Sequence, residues 1–286
     1  MTQSNSRVTR GTILAVTSGK GGVGKTNVVI NLAAALARLG HRVGIIDADF
    51  GLGNIDVLLG LTPAYHLGHF LSGEKTLNDI TLQGPLGIKI IPAGSGIRAL
   101  TALSAEQWRQ FQTVVQMIGA ELDFLLIDTA AGISDNVVEL LFMAERVLVV
   151  TSFDPAAVVD AYAVIKILHA GAPRKDIGLV VNGTRDAEEA GLVFRQLDVA
   201  ASRFLGRSLR FDGFIVQDPA VREAVLGQRP IVEHLPQAPA SRCFRILASR
   251  VAGHAPGGGA SLRPASGPND RVLLAPSLAL ESSRCA

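Results

Sequence analysis

Short apolar runs alternate with amphipathic stretches along most of this chain. The runs have the length of buried strands, and they occur at Ile13–Val16, Val43–Ile46, Ile88–Ile91, Phe124–Ile127, Val147–Val150, Gly178–Val181 and Phe211–Val216. Between the first two runs, Val28–Leu39 predicts a helix that stops at Gly40, and Ser104 predicts the cap of a helix reaching about Ile118. This order predicts an α/β fold, a doubly wound and mostly parallel sheet with helices on both faces.

Polar residues follow most of these predicted strands. In open parallel sheets, ligands bind beyond the carboxyl ends of the strands, so residues at those ends are the first candidates for a functional site. In this chain they are Ser18, Asp47, Asp128, Thr151, Asn182 and Asp218.

The turn after the first strand has the pattern of a phosphate-binding loop. It matches G-x-x-x-x-G-K-[ST] and lies between a strand and a helix, the context that this motif requires. Its backbone N–H groups and the helix N-terminus favour phosphate, with Lys25 expected at the β- and γ-phosphates and Thr26 at Mg²⁺. The predicted nucleotide-binding residues are Gly19, Lys20, Gly21, Gly22, Val23, Gly24, Lys25, Thr26 and Asn27.

Carboxylates close two predicted strands that accompany this loop. Asp47 and Asp49 follow the second strand, and Asp128 follows Phe124–Ile127. Such carboxylates can hold Mg²⁺ through water and orient an attacking water molecule, so Thr26, Asp47 and Asp128 are the predicted metal-site residues. The alternative, in which these aspartates only cap helices or turns, stays open at this point.

Three further residues are candidates for contact with the base of a nucleotide. The amide of Asn182 can both donate to and accept from an adenine edge, and Gln217 and Asp218 end the last predicted strand. Asn182 could equally form a simple Asx turn before Gly183.

Composition narrows the class of protein. Of the 286 residues, 48% are hydrophobic and 18% are charged, which argues against disorder, and a net charge of +2 gives no reason to expect direct DNA binding. With two cysteines, Cys243 and Cys285, neither a disulfide scaffold nor a four-thiolate site fits within one chain.

No apolar run has the roughly 18 residues of a membrane span, and residues 1–10 lack the apolar region of a secretion signal. We therefore expect a cytoplasmic protein, with peripheral membrane attachment as an open alternative.

The composition also predicts how the chain is divided. We expect a flexible arm over 1–11, a P-loop domain over 12–251, and a flexible tail rich in Gly, Pro, Ala and Ser over 252–286. Near the end of the domain, Phe244, Leu247 and Val251 share one helical face and are interspersed with arginines. This pattern fits either a lipid-binding helix or the last core helix of the fold.

Four segments carry a resemblance to a known family: Ser18–Asn27, Asp47–Asp56, Ile127–Asp135 and Asp160–Lys166. The chain resembles the MinD/ParA class of deviant P-loop ATPases, and within that class the FlhG branch, also called FleN or YlxH, which regulates flagellar number and placement. The resemblance implies ATP as the nucleotide. It also implies that Lys20 reaches the phosphates of a second subunit, and that Asp49, with Asp47 as the other acid of its motif, positions the attacking water. Lys20, Lys25 and Asp49 are therefore the expected catalytic residues.

The same resemblance implies an ATP-dependent homodimer that acts on partners and parts on hydrolysis. Partners in the family include an FlhF-like GTPase, flagellar switch proteins and a FleQ-like transcriptional activator, and some members bind the inner membrane. Residues 1–11 lack the D-Q-A-x-x-L-R motif by which some FlhG proteins activate FlhF. The loop also contains no arginine that could act as a finger in cis, so intrinsic turnover is expected to be slow.

Other classes of protein remain as alternatives. A MinD-like division-site ATPase or a ParA-like partitioning ATPase would share the same loop. An iron–sulfur relative would need paired bridging cysteines, and no cysteine lies near the nucleotide motifs. A module that binds ATP without cleaving it is disfavoured by Lys25, Asp49 and Asp128.

Overall fold

The strands of this protein form one twisted sheet at the centre of the described chain. The computed structural model describes residues 11–94 and 103–253. Eight strands lie within these ranges: β1 (Thr12–Thr17), β2 (Val43–Ala48), β3 (Leu82–Gln83), β4 (Lys89–Ile91), β5 (Phe124–Thr129), β6 (Arg146–Thr151), β7 (Asp176–Thr184) and β8 (Arg210–Val216).

Helices connect most of the strands and cover both faces of the sheet. Over the same ranges they are α1 (Lys25–Arg38), α2 (Ile55–Leu58), α3 (Leu67–Leu71), α4 (Leu77–Ile80), α5 (Ala105–Glu121), α6 (Asp135–Met143), α7 (Pro155–Gly171), α8 (Ala187–Leu205), α9 (Pro219–Leu226), α10 (Ile231–His234) and α11 (Pro239–Gly253). None of these helices combines the length and the apolar character needed to cross a bilayer.

The strand order confirms the predicted doubly wound architecture. The order is β3-β4-β2-β5-β1-β6-β7-β8, and every pairing is parallel except that of β3 with β4. β1, β2, β5 and β6 are buried at every residue because helices cover both faces. One core layer contains α5 and α7, and the other contains α1 and α11. Since β1 lies between β5 and β6 in the sheet, the loop that follows β1 is flanked by the carboxyl ends of those two strands.

Several predicted boundaries need correction. α1 begins at Lys25 rather than Val28, since the loop motif already provides its first turn. The two-residue edge strand β3 was not predicted, because two residues are too few to show a periodic pattern. Ala252 and Gly253 end α11 instead of starting the tail. Gly11, expected in the arm, is buried and donates to Gly119 O at 3.1 Å.

Other predictions fall on parts of the chain that the structure leaves undescribed. Residues 1–10 of the arm and 254–286 of the tail, with Cys285, lie outside the described residues.

The arginine-rich helix at the end of the domain is a core helix. Phe244, Leu247 and Val251 are buried against α1 and the sheet. The arginines also bond within the chain, since Arg245 donates to Pro236 O at 2.5 Å and Arg250 to Asp212 O at 3.0 Å. The apolar face of α11 is therefore covered by protein, as the core-helix alternative predicts.

The role of α11 in the core can be tested by truncating one aromatic ring. Phe244→Ala should lower the free energy of unfolding by about 3–5 kcal/mol, because the ring is 2% exposed and its removal leaves a cavity. Phe204→Ala removes the same ring from a site that is 67% exposed and should change stability by less than about 1 kcal/mol. Urea unfolding of both variants measures the difference. Equal losses would contradict the placement of α11.

Candidate nucleotide-binding site

The predicted phosphate loop joins the carboxyl end of β1 to α1. Gly21 and Gly22 are exposed at its tip, whereas Val23 points into the core and is 8% exposed. Gly24, the residue before α1, has φ +86°, and a Cβ there would lie 2.3 Å from Nδ2 of Asn182. The loop needs a residue without a side chain at this position. The first backbone N–H groups of α1 have no partner within the helix and are therefore available to a ligand of the loop.

A buried ion pair lies directly beneath the loop. Nζ of Lys25 donates to Oδ1 of Asp128 at 2.5 Å, and the two side chains are 7% and 1% exposed. The Thr26 hydroxyl lies close enough to Asp128 to favour its ionised form and so lower its pKa. Burial raises the pKa of the Asp128 carboxyl, and Lys25 opposes that rise. Asp128 thus holds in place the lysine that the motif assigns to the phosphates.

Asp47 adds a second carboxylate beside this pair. It lies opposite Asp128 in the register of β2 and β5 and is 2% exposed. Its oxygens accept from the backbone N–H groups of Asp49 at 3.1 Å and of Ile55 at 3.2 Å. Burial, with a contribution from the charge of Asp128, raises the pKa of Asp47 to about 7. Two acids and one lysine therefore share a buried site, which leaves uncompensated negative charge when both acids are ionised.

Asp49 lies at the edge of the same site and is partly exposed. Its carboxylate accepts from the N–H of Leu52 at 3.0 Å, so it is held within the loop after β2. Its charge is close enough to raise the pKa of Asp128. The structure thus brings Lys25, Thr26, Asp47, Asp49 and Asp128 together, as the strand-end argument predicts.

The second lysine of the loop, Lys20, points away from these acids. Its Nζ forms an ion pair with Oδ2 of Asp154 at 2.5 Å, and the two side chains are 40% and 46% exposed. Asp154 also caps α7 by accepting from the N–H of Ala156 at 2.8 Å. The Lys20 pair holds the pKa of the Asp154 carboxyl below its usual range. Sequence reasoning missed Asp154, although an Asp-Pro pair after a predicted strand signals a helix start.

The three residues predicted to contact the base of a nucleotide, Asn182, Gln217 and Asp218, each form hydrogen bonds within the protein. Asn182 lies within β7, and its Nδ2 donates to Val23 O at 2.7 Å, so this side of the amide holds the phosphate loop. Asp218 caps α9, and its two oxygens accept from the N–H groups of Ala220 and Ala240, both at 3.0 Å. The N–H of Gln217 donates to Thr184 O at 2.7 Å. Their contact with a base stays a prediction.

Asn27, the last predicted binding residue, lies in the first turn of α1. Its carbonyl accepts from Nδ2 of Asn31 at 2.9 Å. Asn31 is 2% exposed, and its Oδ1 in turn accepts from the N–H of Ile231 at 2.7 Å. The start of α1 is thereby tied to the first residue of α10.

Comparisons with known proteins agree with this geometry. A ParA family model, described as NUBPL iron-transfer P-loop NTPase, matches residues 9–252. The chain is 43% identical over 239 residues to the antiactivator FleN of Pseudomonas aeruginosa, which covers 84% of this chain and 85% of that protein. It is 36% identical over 215 residues to the flagellum site-determining protein YlxH of Helicobacter pylori, covering 74% and 72%. The septum site-determining protein MinD of Pyrococcus horikoshii, complexed with Mg-ADP, superposes with a TM-score of 0.70 at 25% identity, covering 84% and 96%.

The fold, the loop and these matches define the class as P-loop NTPases with a mostly parallel sheet. The chain belongs to the ParA family of these enzymes, which includes MinD and the FleN and YlxH proteins. Membership of this family supports ATPase activity.

The buried acid Asp47 should make the free energy of unfolding depend on pH. Its pKa is about 7 when folded and near 3.8 when unfolded, so the folded state binds the proton more tightly. The free energy of unfolding should therefore fall as the pH rises from about 4 to about 7, by up to about 4 kcal/mol. Asp47→Asn removes this titration, so the loss of Tm across that window should be smaller than in the wild type.

The control for this measurement is Asp56→Asn, which makes the same chemical change outside the buried pair. Thermal unfolding of nucleotide-free protein without Mg²⁺ is followed at several pH values for all three proteins. If Asp47→Asn and Asp56→Asn gave the same pH profile, Asp47 would not be the group that titrates.

Proposed function

We propose that this protein is a switch ATPase that controls the number or placement of flagella, and that ATP joins two of its copies face to face. The flagellar assignment is supported by relatives named antiactivator FleN and flagellum site-determining protein YlxH, which match most of the chain. The proposal of a dimer is supported by one observation: Lys20 lies in the phosphate loop with its side chain partly exposed to solvent.

The residues of the loop fit a nucleoside triphosphate. Gly19 to Gly24 offer backbone N–H groups, Lys25 offers its charge to the terminal phosphates, and the helix N-terminus adds positive potential. The two buried acids Asp47 and Asp128, which share the single lysine Lys25, fit Mg²⁺ together with the Thr26 hydroxyl. Mg²⁺ takes oxygen ligands and often keeps water between itself and a carboxylate. When bound, Mg²⁺ would neutralise phosphate charge during transfer.

Lys20 is suited to a phosphate of the partner copy rather than to one in its own site. Its ion pair with Asp154 is about half exposed, and exposed pairs contribute only about 0–1 kcal/mol. Exchanging Asp154 for a triphosphate would therefore cost little and would gain a charge-assisted contact. Because ADP lacks the terminal phosphate, hydrolysis would remove this contact and favour separation.

Asp49 is the proposed residue that orients the attacking water. It is partly exposed beside the buried acids, within the loop that follows β2. No arginine stands within the phosphate loop itself, and arginine fingers contribute about 10³–10⁵ in rate. Turnover of the isolated protein is therefore slow, as suits a timer, and rises on dimerisation or partner binding.

The proposed partners are those that the family resemblance implies. They are an FlhF-like GTPase, flagellar switch proteins or a FleQ-like transcriptional activator, with the inner-membrane surface as a further candidate. A MinD-like role at the division site is the alternative, supported by the structural match to MinD at 25% identity. Flagellar counts and cell lengths in a deletion strain distinguish the two, since mini-cells with normal flagella would favour the MinD-like role.

The switch can be tested with two substitutions and one control. With ATP, Asp49→Ala should form a stable dimer and release at least about 100-fold less phosphate, because the water is no longer positioned. Lys20→Ala should remain a monomer with ATP, since the contact across the interface is lost. Lys89→Ala changes another surface lysine in an ion pair, with Glu121 at 2.8 Å, and should behave as wild type.

Light scattering after gel filtration measures the mass, and a phosphate-release assay measures the rate. Equal masses for Asp49→Ala with ATP, with ADP and without nucleotide would contradict the dimer. Unchanged flagellation in a deletion strain would contradict the flagellar role and leave the ATPase intact.

A further inference from the structure

Gln228 has a backbone conformation that is unusual for its residue type. Of the described non-glycine residues, it and Leu86 have a positive φ, which is +52° at Gln228. The segment around it is well anchored, because its N–H donates to Val225 O at 3.0 Å and the N–H of Arg229 donates to Ala224 O at 3.1 Å. Non-glycine residues remain in this region where the surroundings fix them, often near functional sites.

The side chain of Gln228 reaches α2, the short helix that follows the Asp49 loop. Nε2 donates to the carbonyl of Val57 at 2.9 Å, at the C-terminal end of that helix. Gly60 makes the approach possible, because a Cβ at this position would lie 2.9 Å from Oε1 of Gln228. The contact therefore joins a distant part of the sequence to the helix beside the acids.

The two ends of α2 are held by different parts of the site. At its start, the N–H of Ile55 donates to Oδ2 of Asp47 at 3.2 Å. At its end, Val57 accepts from Gln228. Since α2 is only four residues long, both contacts act on one short segment, which follows the loop that carries Asp49.

The backbone that follows Gln228 is in turn hydrogen-bonded to α1, the helix that follows the phosphate loop. Three residues further on, the N–H of Ile231 donates to Oδ1 of the buried Asn31 on α1 at 2.7 Å. Gln228 also follows α9, which begins directly after Gln217 and Asp218. A continuous set of contacts thus runs from α1 and α9 through Gln228 and α2 to Asp47.

We infer that Gln228 is a positioning residue that fixes α2, and with it the Asp47–Asp49 segment, relative to the phosphate loop for ATP hydrolysis. The inference rests on the proposed ATPase function and adds a residue outside the recognised motifs. Gln228 touches neither phosphate nor metal site. Its loss should therefore lower kcat and leave KM for ATP unchanged.

Three substitutions separate positioning from a merely structural role. Gln228→Glu keeps the shape but has no donor for Val57 O, and Gln228→Gly removes the side chain where glycine is favoured. Both should lower kcat about fivefold, the rate equivalent of one lost hydrogen bond, with KM within about twofold of wild type. Gln228→Lys retains a donor of similar reach and should restore most of kcat. Gln196→Glu, the same change at an exposed site on α8, should have no effect.

Amide hydrogen exchange of nucleotide-free protein provides a readout that does not need activity. Exchange over residues 49–61 should be faster in Gln228→Glu and Gln228→Gly than in wild type, and near wild type in Gln228→Lys. Unchanged kcat and exchange in the first two variants would overturn the inference, as would an equal loss of kcat in Gln228→Lys. If wild type released no phosphate, the proposed function would fail, and the exchange result would still decide whether Gln228 fixes α2.

Discussion

The buried ion pair between Lys25 and Asp128 is the constraint on which the site depends. Removing two charges from water is costly unless they are paired in good geometry, and here Asp47 adds a second acid to one lysine. The side chains of the site therefore supply less positive than negative charge when both acids are ionised. Burial, with the charge of Asp128, raises the pKa of Asp47. A cation that prefers oxygen ligands would balance the excess negative charge of the two acids. Because it would bind only the folded site, its binding would also stabilise the folded protein.

The register of the sheet produces this arrangement. β2 and β5 are neighbours, so Asp47 and Asp128 pair directly, and β1 on the other side of β5 delivers the phosphate loop. The loop after β1 and the aspartates at the ends of β2 and β5 therefore meet, although they are far apart in the sequence. The same geometry explains why Asp154, after β6, lies within reach of Lys20, since β6 is the other neighbour of β1.

The sequence carried enough information for the sheet, the loop and the acids because each depends on local pattern. Apolar runs marked the strands, and the fixed spacing of the loop motif marked Lys25 and Thr26. Asp154 and Gln228 act through contacts across about 134 and 171 residues of separation, and no local period reports such a contact. Asn182 was found as a strand-end polar residue, but its bond to Val23 depends on how close β7 lies to the loop.

The two lysines of the loop differ in the strength of their partners, and this difference suits a reversible switch. A buried partner such as Asp128 holds Lys25 in one place, because breaking a buried pair costs about 3–5 kcal/mol. An exposed partner such as Asp154 is given up at little cost, because water screens the pair. If Lys20 were held as firmly as Lys25, a partner's phosphate would first have to supply that larger energy, and a two-state equilibrium would shift by a factor of about 100–5,000 toward the monomer. In the proposed switch, this weak contact at the surface would leave the balance between monomer and dimer to the nucleotide.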